Sequence, residues 1–278
     1  MVMQPVLEIF SADDFALWPI GEHESYGHLV LNGELTPAEV GTAVMRIAAC
    51  NDFEPEQEYG PCPTDPLGSF LHGLLTMPDL FAAGGFRVTD NATGTVFVDP
   101  GCCNGLETWR DWLEVLDGTG YSSFGHDPSS VAERVGDGVR LTFDAHGTDG
   151  SPVIELPTDQ VRRLVTGAEQ DVRDFLGLVG TWAERQLPAH AAAVTAALAR
   201  ALDLASTERD SGRRRAARLP GVRGRGAAGA ELDRARLERA VPCVRVGAGA
   251  MPVRPAAPVP AGDPLQLERD PAAGAHER

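Results

Sequence analysis

The pattern of apolar and polar positions over the first 205 residues predicts a mixed succession of strands and helices. Short alternating or apolar runs predict strands at residues 5–10, 27–31, 86–89, 95–99, 131–135, 139–143 and 153–156. Apolar side chains recurring every three or four residues predict a long helix from Val161, ended by Pro188, and an alanine-rich helix to about Leu204. The order lacks regular βαβ alternation, so we expect an α+β fold with a mainly antiparallel sheet packed by helices and a long C-terminal helix pair.

Helix starts carry local signals of their own. Thr36, Pro37 and Glu39 have the spacing of a capping box with proline at the first helical position. Asp65-Pro66 begins a shorter helix over residues 67–75. Asn104, with Glu107 three residues later, has the same capping spacing and predicts a helix carrying Leu106, Trp109, Leu113 and Leu116.

The chemistry of the chain changes near Ala205. Residues 1–205 hold 31 acidic and 10 basic side chains and all 17 aromatic residues, whereas residues 206–278 hold 9 acidic and 14 basic side chains. The second part consists largely of Ala, Gly, Pro and Arg. We therefore expect a single acidic α+β domain over 1–205, followed by a disordered tail over 206–278. Two origins of the tail stay open: an evolved flexible segment, or translation of a shifted reading frame.

The charge of the domain limits the kinds of partner that it can bind, and its cysteines indicate the cellular compartment. The net negative charge of the domain disfavours binding to nucleic acid and to anionic membranes, and it permits a basic protein partner. The N-terminus lacks the basic and apolar regions of a signal peptide, and no segment has the composition of a membrane span. Five cysteines, two of them adjacent, indicate reduced thiols, so we expect a cytoplasmic protein.

The densest group of reactive residue types lies between a predicted strand and a predicted helix. Cys102 or Cys103 would be the nucleophile of a thiol enzyme, with His126 or His146 as the base and Asp127 orienting the imidazole. The competing interpretation makes the cysteines small buried groups within a turn and cap. Recognised thiol-enzyme signatures are absent, which favours the structural interpretation.

Neither a metal site nor a cofactor is predicted. The cysteines and histidines lack the paired spacing of zinc ligands, and no phosphate- or dinucleotide-binding motif occurs. The acidic loop at 51–66 contains alternating carboxylates but lacks the glycine and spacing of a calcium loop. Its Glu54, Glu56 and Glu58 are the first candidates for contact with a basic partner, and the helix near Trp112 is the second.

One stretch of the sequence resembles a group of bacterial proteins. The run VFVDPGCCNGLETWRDW, followed by SSFGHDP and GVRLTF, resembles a group of actinobacterial acidic α+β proteins over residues 86–205. Small proteins of this kind often resemble immunity or partner-binding proteins of bacterial toxin systems. The resemblance implies an actinobacterial source, and it assigns a role to no residue.

Two functions follow from the sequence, and a purely structural or regulatory protein with a disordered tail is not distinguished from the first of them. We expect a non-enzymatic cytoplasmic binding module, of which an immunity-type protein is one form, with a basic protein as its partner. The alternative is a small thiol-dependent enzyme that uses Cys102 or Cys103 with His126. The oligomeric state is not predicted.

Overall fold

The computed structural model describes residues 1–10, 14–24, 26–52, 60–147 and 150–205. Within these residues the chain forms two four-stranded antiparallel sheets and a set of helices that pack against them. The predicted α+β class is confirmed, and the antiparallel strands are divided between two sheets.

The first sheet is built around the N-terminal strand. Its order is β2-β1-β3-β4, with the strands Val2–Ile9 (β1), Gly27–Val30 (β2), Gly84–Thr89 (β3) and Val96–Val98 (β4). The β1/β2 register places Glu8 opposite His28. Directly opposed side chains lie on the same face of a sheet, so these two polar groups are neighbours.

The second sheet is a meander in chain order. Its strands are Tyr121–Ser123 (β5), Val131–Val135 (β6), Gly138–Thr142 (β7) and Val153–Pro157 (β8). The β6/β7 hairpin and β8 were predicted from their apolar runs. Strand β5 was not predicted, because three residues with one buried side chain give no detectable alternation.

The first two helices begin where the sequence predicts. Helix α1 spans Pro37–Cys50, and its capping box is complete: Thr36 N–H donates to Glu39 Oε2 at 2.7 Å, and Glu39 N–H donates to Thr36 Oγ1 at 3.3 Å. The hydrogen bonds from Thr36 hold the pKa of Glu39 below its usual value. Helix α2 spans Pro66–Thr76 and is capped by Asp65.

The capping pair predicted at Asn104 and Glu107 is wrong. The chain there forms a 3₁₀ turn, Leu106–Thr108, and then the short helix α3, Asp111–Asp117. The Asn104 amide donates to the Gly84 carbonyl at 2.7 Å, and the Glu107 carboxylate accepts from Ala82 N–H at 3.2 Å. Both side chains bind the β3 region instead of a helix start, because tertiary acceptors and donors compete with local ones.

The predicted C-terminal helix pair is present as α4, Thr158–Gln186, and α5, Ala191–Ala201. Helix α4 packs on β1, α1 and α5 through a stripe of buried residues: Val161, Val165, Ala168, Val172, Phe175, Val179, Trp182 and Ala183. Among the described residues, no helix is both long enough and apolar enough to cross a membrane.

The end of the described chain is fastened to the segment that follows the adjacent cysteines. Trp109 Nε1–H donates to the Leu202 carbonyl at 3.1 Å, and Arg110 pairs with Asp203. Leu202 is completely buried. The core therefore includes the chain up to this point, whereas the tail predicted for 206–278 lies outside the described residues and stays a prediction.

Replacing two glycines of α4 should stabilise the protein. An added Cβ at Gly167 or Gly177 meets nothing within 4 Å, and alanine in a helix interior is favoured over glycine by about 0.5–1 kcal/mol per site. We expect Gly167→Ala/Gly177→Ala to raise the free energy of unfolding measured in urea. Gly73→Ala is the opposing control, since its Cβ would collide with the Asn51 carbonyl. An unchanged or lowered stability of the α4 double variant would contradict the open surroundings of these positions.

Candidate functional site

Two loops that are distant in the sequence meet through their backbones. Gly101 N–H donates to the Phe124 carbonyl at 2.8 Å, and Cys102 N–H donates to the His126 carbonyl at 2.7 Å. His126 N–H returns a bond to the Cys102 carbonyl at 3.2 Å, so the two residues form an isolated antiparallel bridge. This pairing fixes the position of the imidazole relative to the thiols, and we call residues 101–103 and 124–127 the paired loops.

Glycine is required on both sides of this contact. A Cβ at Gly101 would collide with the carbonyl oxygens of His126 and Pro128. At Gly125, φ is +92°, and a Cβ would lie 2.6 Å from the Cys102 carbonyl oxygen. A side chain at either position would separate the paired loops.

The tryptophan predicted as a partner contact belongs to the core. Trp112 is 0% exposed and stacks on Phe124, with ring centroids 4.5 Å apart. A fully buried ring cannot touch a partner's surface, so that prediction is corrected. Because Phe124 lies two residues before His126, the stacked rings hold the second of the paired loops against α3.

The side chains of the paired loops converge. Cys103 Sγ lies 3.5 Å from His126 Nε2 and 3.5 Å from Cys102 Sγ. On the other side of the ring, His126 Nδ1 lies 3.3 Å from Asp127 Oδ2. The residues named from the sequence as the enzyme alternative are therefore brought together as a thiol–imidazole–carboxylate series. His146, the other candidate base, contacts Ser129 instead.

The same grouping has the composition of a metal-ligand set. One ligand atom each from Cys102, Cys103 and His126 lie within 4.8 Å of one another. Sequence spacing gave no reason to expect this, because 23 residues separate Cys103 from His126. Only the folded chain makes them neighbours.

The thiols open into a cavity of about 390 Å³. Its described lining includes both thiols, the aromatic pair Phe10 and Tyr26, and polar groups from the first sheet: Glu8, His28 and Asp99. A volume of this size holds a small molecule.

Burial shifts the pKa values of two polar groups in the cavity. Burial raises the pKa of Glu8, and the charge of Asp99 adds to this against the opposing effect of Arg46. Burial lowers the pKa of His28 despite Asp99, whose carboxylate is 3.9 Å away. The site therefore favours neutral forms of both groups.

The thiol that contacts His126 is also held in its neutral form. Burial, the hydrogen bond with Cys102 and the nearby charges of Cys102 and Glu8 raise the pKa of Cys103 to about 11. No helix dipole lowers the pKa of this thiol, since the residues after the thiols form a 3₁₀ turn rather than a helix start. Any reaction of this thiol at neutral pH therefore needs a base to take its proton.

Sequence reasoning missed the cavity residues contributed by the first sheet. Glu8 interrupts an otherwise mostly apolar strand, and that was the available signal. His28 and Asp99 gave no comparable signal, because their relation to Glu8 depends on strand pairing.

The acidic contact residues predicted for a basic partner, Glu54, Glu56 and Glu58, lie outside the described residues. The binding-module hypothesis therefore stays a prediction.

Substituting Gly101 should loosen the site. We expect Gly101→Ala to lower the free energy of unfolding by about 1–3 kcal/mol, because the new methyl group forces the paired loops apart. Urea denaturation measures the loss. Gly180→Ala is the control: it lies in α4, where an added Cβ meets nothing within 4 Å, and it should not lower the stability. Equal stability of Gly101→Ala and the parent would contradict the close backbone approach.

Neutralising Glu8 should stabilise the protein at alkaline rather than acidic pH. The pKa of Glu8 is raised in the folded state, so the folded protein binds the Glu8 proton more tightly than the unfolded chain does. The contribution of Glu8 to the free energy of unfolding is therefore highest at low pH and decreases as pH rises through the folded-state pKa. Glu8→Gln carries no such loss. We expect its gain in urea midpoint over the parent to be larger at pH 8 than at pH 4. The exposed Glu22→Gln serves as control, and a gain independent of pH would contradict the raised pKa of Glu8.

Comparisons with other proteins give no information on the function of this chain. No protein-family description, curated protein or solved structure matches it. The resemblance of residues 86–205 to actinobacterial α+β proteins stays a prediction.

Proposed function

We propose that the protein is a thiol-dependent enzyme that transfers or hydrolyses the acyl group of a small molecule bound in the cavity beside Cys103. The observation that carries this proposal is the 3.5 Å contact between Cys103 Sγ and His126 Nε2. The contact joins a nucleophile to a base across 23 residues of sequence, at the wall of a cavity. This is the arrangement that nucleophilic catalysis requires.

Each residue has one role in the step. Sγ of Cys103 bonds to the carbonyl carbon of the substrate, and its proton passes to His126 Nε2. The bond from that carbon to the leaving group breaks, and the proton moves from His126 to the leaving group. Water, or a second acceptor, then attacks the acyl group, with His126 taking its proton, and the acyl group leaves the sulfur of Cys103. Asp127 keeps the imidazole proton on Nδ1, so that Nε2 is free to accept.

The high pKa of the thiol fits base-assisted attack better than a preformed thiolate. A thiol that is protonated at neutral pH reacts only when its proton leaves during the attack, as a serine hydroxyl does. The sulfur then has the higher intrinsic nucleophilicity of a more basic thiolate. His126 is therefore essential to the step.

The cavity favours a neutral substrate. Burial favours the neutral forms of Glu8 and His28, and Asp99 is paired with Arg87 at 3.1 Å. Asp127, the remaining carboxylate of the described lining, is exposed to solvent. The aromatic ring of Phe10 packs edge-on against Tyr26, with centroids 5.6 Å apart, and offers an apolar wall.

Alkylation by iodoacetamide tests the dyad without knowledge of the substrate. In a Cys62→Ser/Cys102→Ser/Cys243→Ser background, the rate of Cys103 alkylation at pH 7 should fall about 100-fold on His126→Ala, because the base that takes the thiol proton is lost. Added imidazole should restore part of the rate, which a merely structural defect would not allow. Mass spectrometry follows the modification.

His146→Ala is the matched control, since it removes an imidazole that contacts Ser129. It should leave the rate unchanged. Alkylation of Cys103 at the same rate with and without His126 would overturn the proposed function.

A further inference from the structure

The three ligand atoms of the paired loops have separations close to those of a zinc tetrahedron. Zinc bonds of about 2.3 Å to sulfur and about 2.0 Å to nitrogen place two sulfurs about 3.8 Å apart and a sulfur and a nitrogen about 3.5 Å apart. The observed separations are 3.5 Å between the two sulfurs and 3.5 Å between Cys103 Sγ and His126 Nε2. Two of the three ligand pairs therefore need almost no movement to bind the ion.

Backbone geometry explains how adjacent cysteines present both sulfurs to one point. Neighbouring side chains of an extended chain face opposite ways. Cys103 instead adopts a left-handed conformation with φ of 69°, which brings its sulfur to the side of Cys102. Cys102 is fixed by its bridge to His126, so the third ligand is positioned by the same hydrogen bonds.

The groups around the ligands also suit zinc. Two thiols and an imidazole form a soft and borderline ligand set that zinc prefers over magnesium or calcium. His126 Nδ1 faces the Asp127 carboxylate at 3.3 Å, which is the outer partner that metal-bound imidazoles usually have. Cys102 is exposed, and both thiols line the cavity, so a fourth position faces solvent and the cavity.

We propose that Cys102, Cys103 and His126 bind one zinc ion, and that the bound ion switches off the reactive thiol. Binding replaces two thiol protons by two Zn–S bonds and releases both protons to solvent, while the imidazole donates through Nε2. The sulfur of Cys103 and the nitrogen of His126 are then unavailable for proton transfer. The regulatory part rests on the proposed function, whereas metal binding does not.

Cobalt substitution tests the site directly. The full chain, freed of metal with a chelator and kept reduced, is titrated with Co²⁺ and followed by visible absorption, where tetrahedral cobalt–thiolate coordination gives intense bands. We expect one equivalent to bind and one equivalent of Zn²⁺ to displace it. Cys102→Ser, Cys103→Ser and His126→Ala should each weaken binding at least 10-fold, and Asp127→Asn should weaken it about 10-fold.

Matched thiol variants keep the result specific. Cys62→Ser/Cys243→Ser removes the thiol near Ser69 and the one beyond Ala205, and it should bind cobalt as the parent does. Circular dichroism and urea midpoints establish that each variant is folded. Absence of stoichiometric cobalt–thiolate absorption in the parent, or an unchanged cobalt affinity in Cys102→Ser, would overturn the zinc site.

Protection from alkylation separates the two proposals. In the Cys62→Ser/Cys243→Ser chain, zinc should slow iodoacetamide modification of Cys103 at least 10-fold. If cobalt binds but the alkylation rate does not depend on His126, the metal site stands and the proposed enzyme function is refuted. If the alkylation rate depends on His126 but cobalt does not bind, the enzyme function stands and the metal site is refuted. Cobalt binding without protection by zinc removes the proposed switch.

Discussion

The contact between the backbones of residues 101–103 and 124–126 determines the rest of the site. Three main-chain hydrogen bonds join the segments, and glycines at 101 and 125 allow the approach. Without that contact, the thiols and the imidazole would belong to separate loops. The chemistry of Cys103 therefore depends on groups that take no part in it.

The sequence predicts the elements whose signals are local. The capping box at Thr36 and Glu39 is satisfied within four residues, and the stripe along α4 is set by helical periodicity, so both are recovered. The same capping spacing at Asn104 and Glu107 misleads, because Gly84 and Ala82 provide partners from another part of the chain. The strand Tyr121–Ser123 escapes detection because its place is decided by pairing with β6.

The candidate site was likewise only partly predictable from the sequence. Cys102, Cys103, His126 and Asp127 were identifiable by residue type, but no local pattern favoured them over a buried turn. Their convergence requires the paired loops, and the cavity behind them requires the register that sets Glu8 beside His28. Trp112 shows the converse error: it was expected near a contact surface, whereas its ring lies in the core. Glu8 and His28 are both partly buried, and burial disfavours their charged forms.

The hydrogen bond from Trp109 to Leu202 has a consequence for the order in which the chain folds. The two residues are 93 positions apart. At a synthesis rate of about 5–20 residues per second, the indole waits roughly 5–20 s for its acceptor. The core around Trp109 cannot close while the ribosome is still making α5. This part of the core is therefore completed late in translation. Until then the first strand, β1, has spent much of the elongation time without α4, the helix that packs on it.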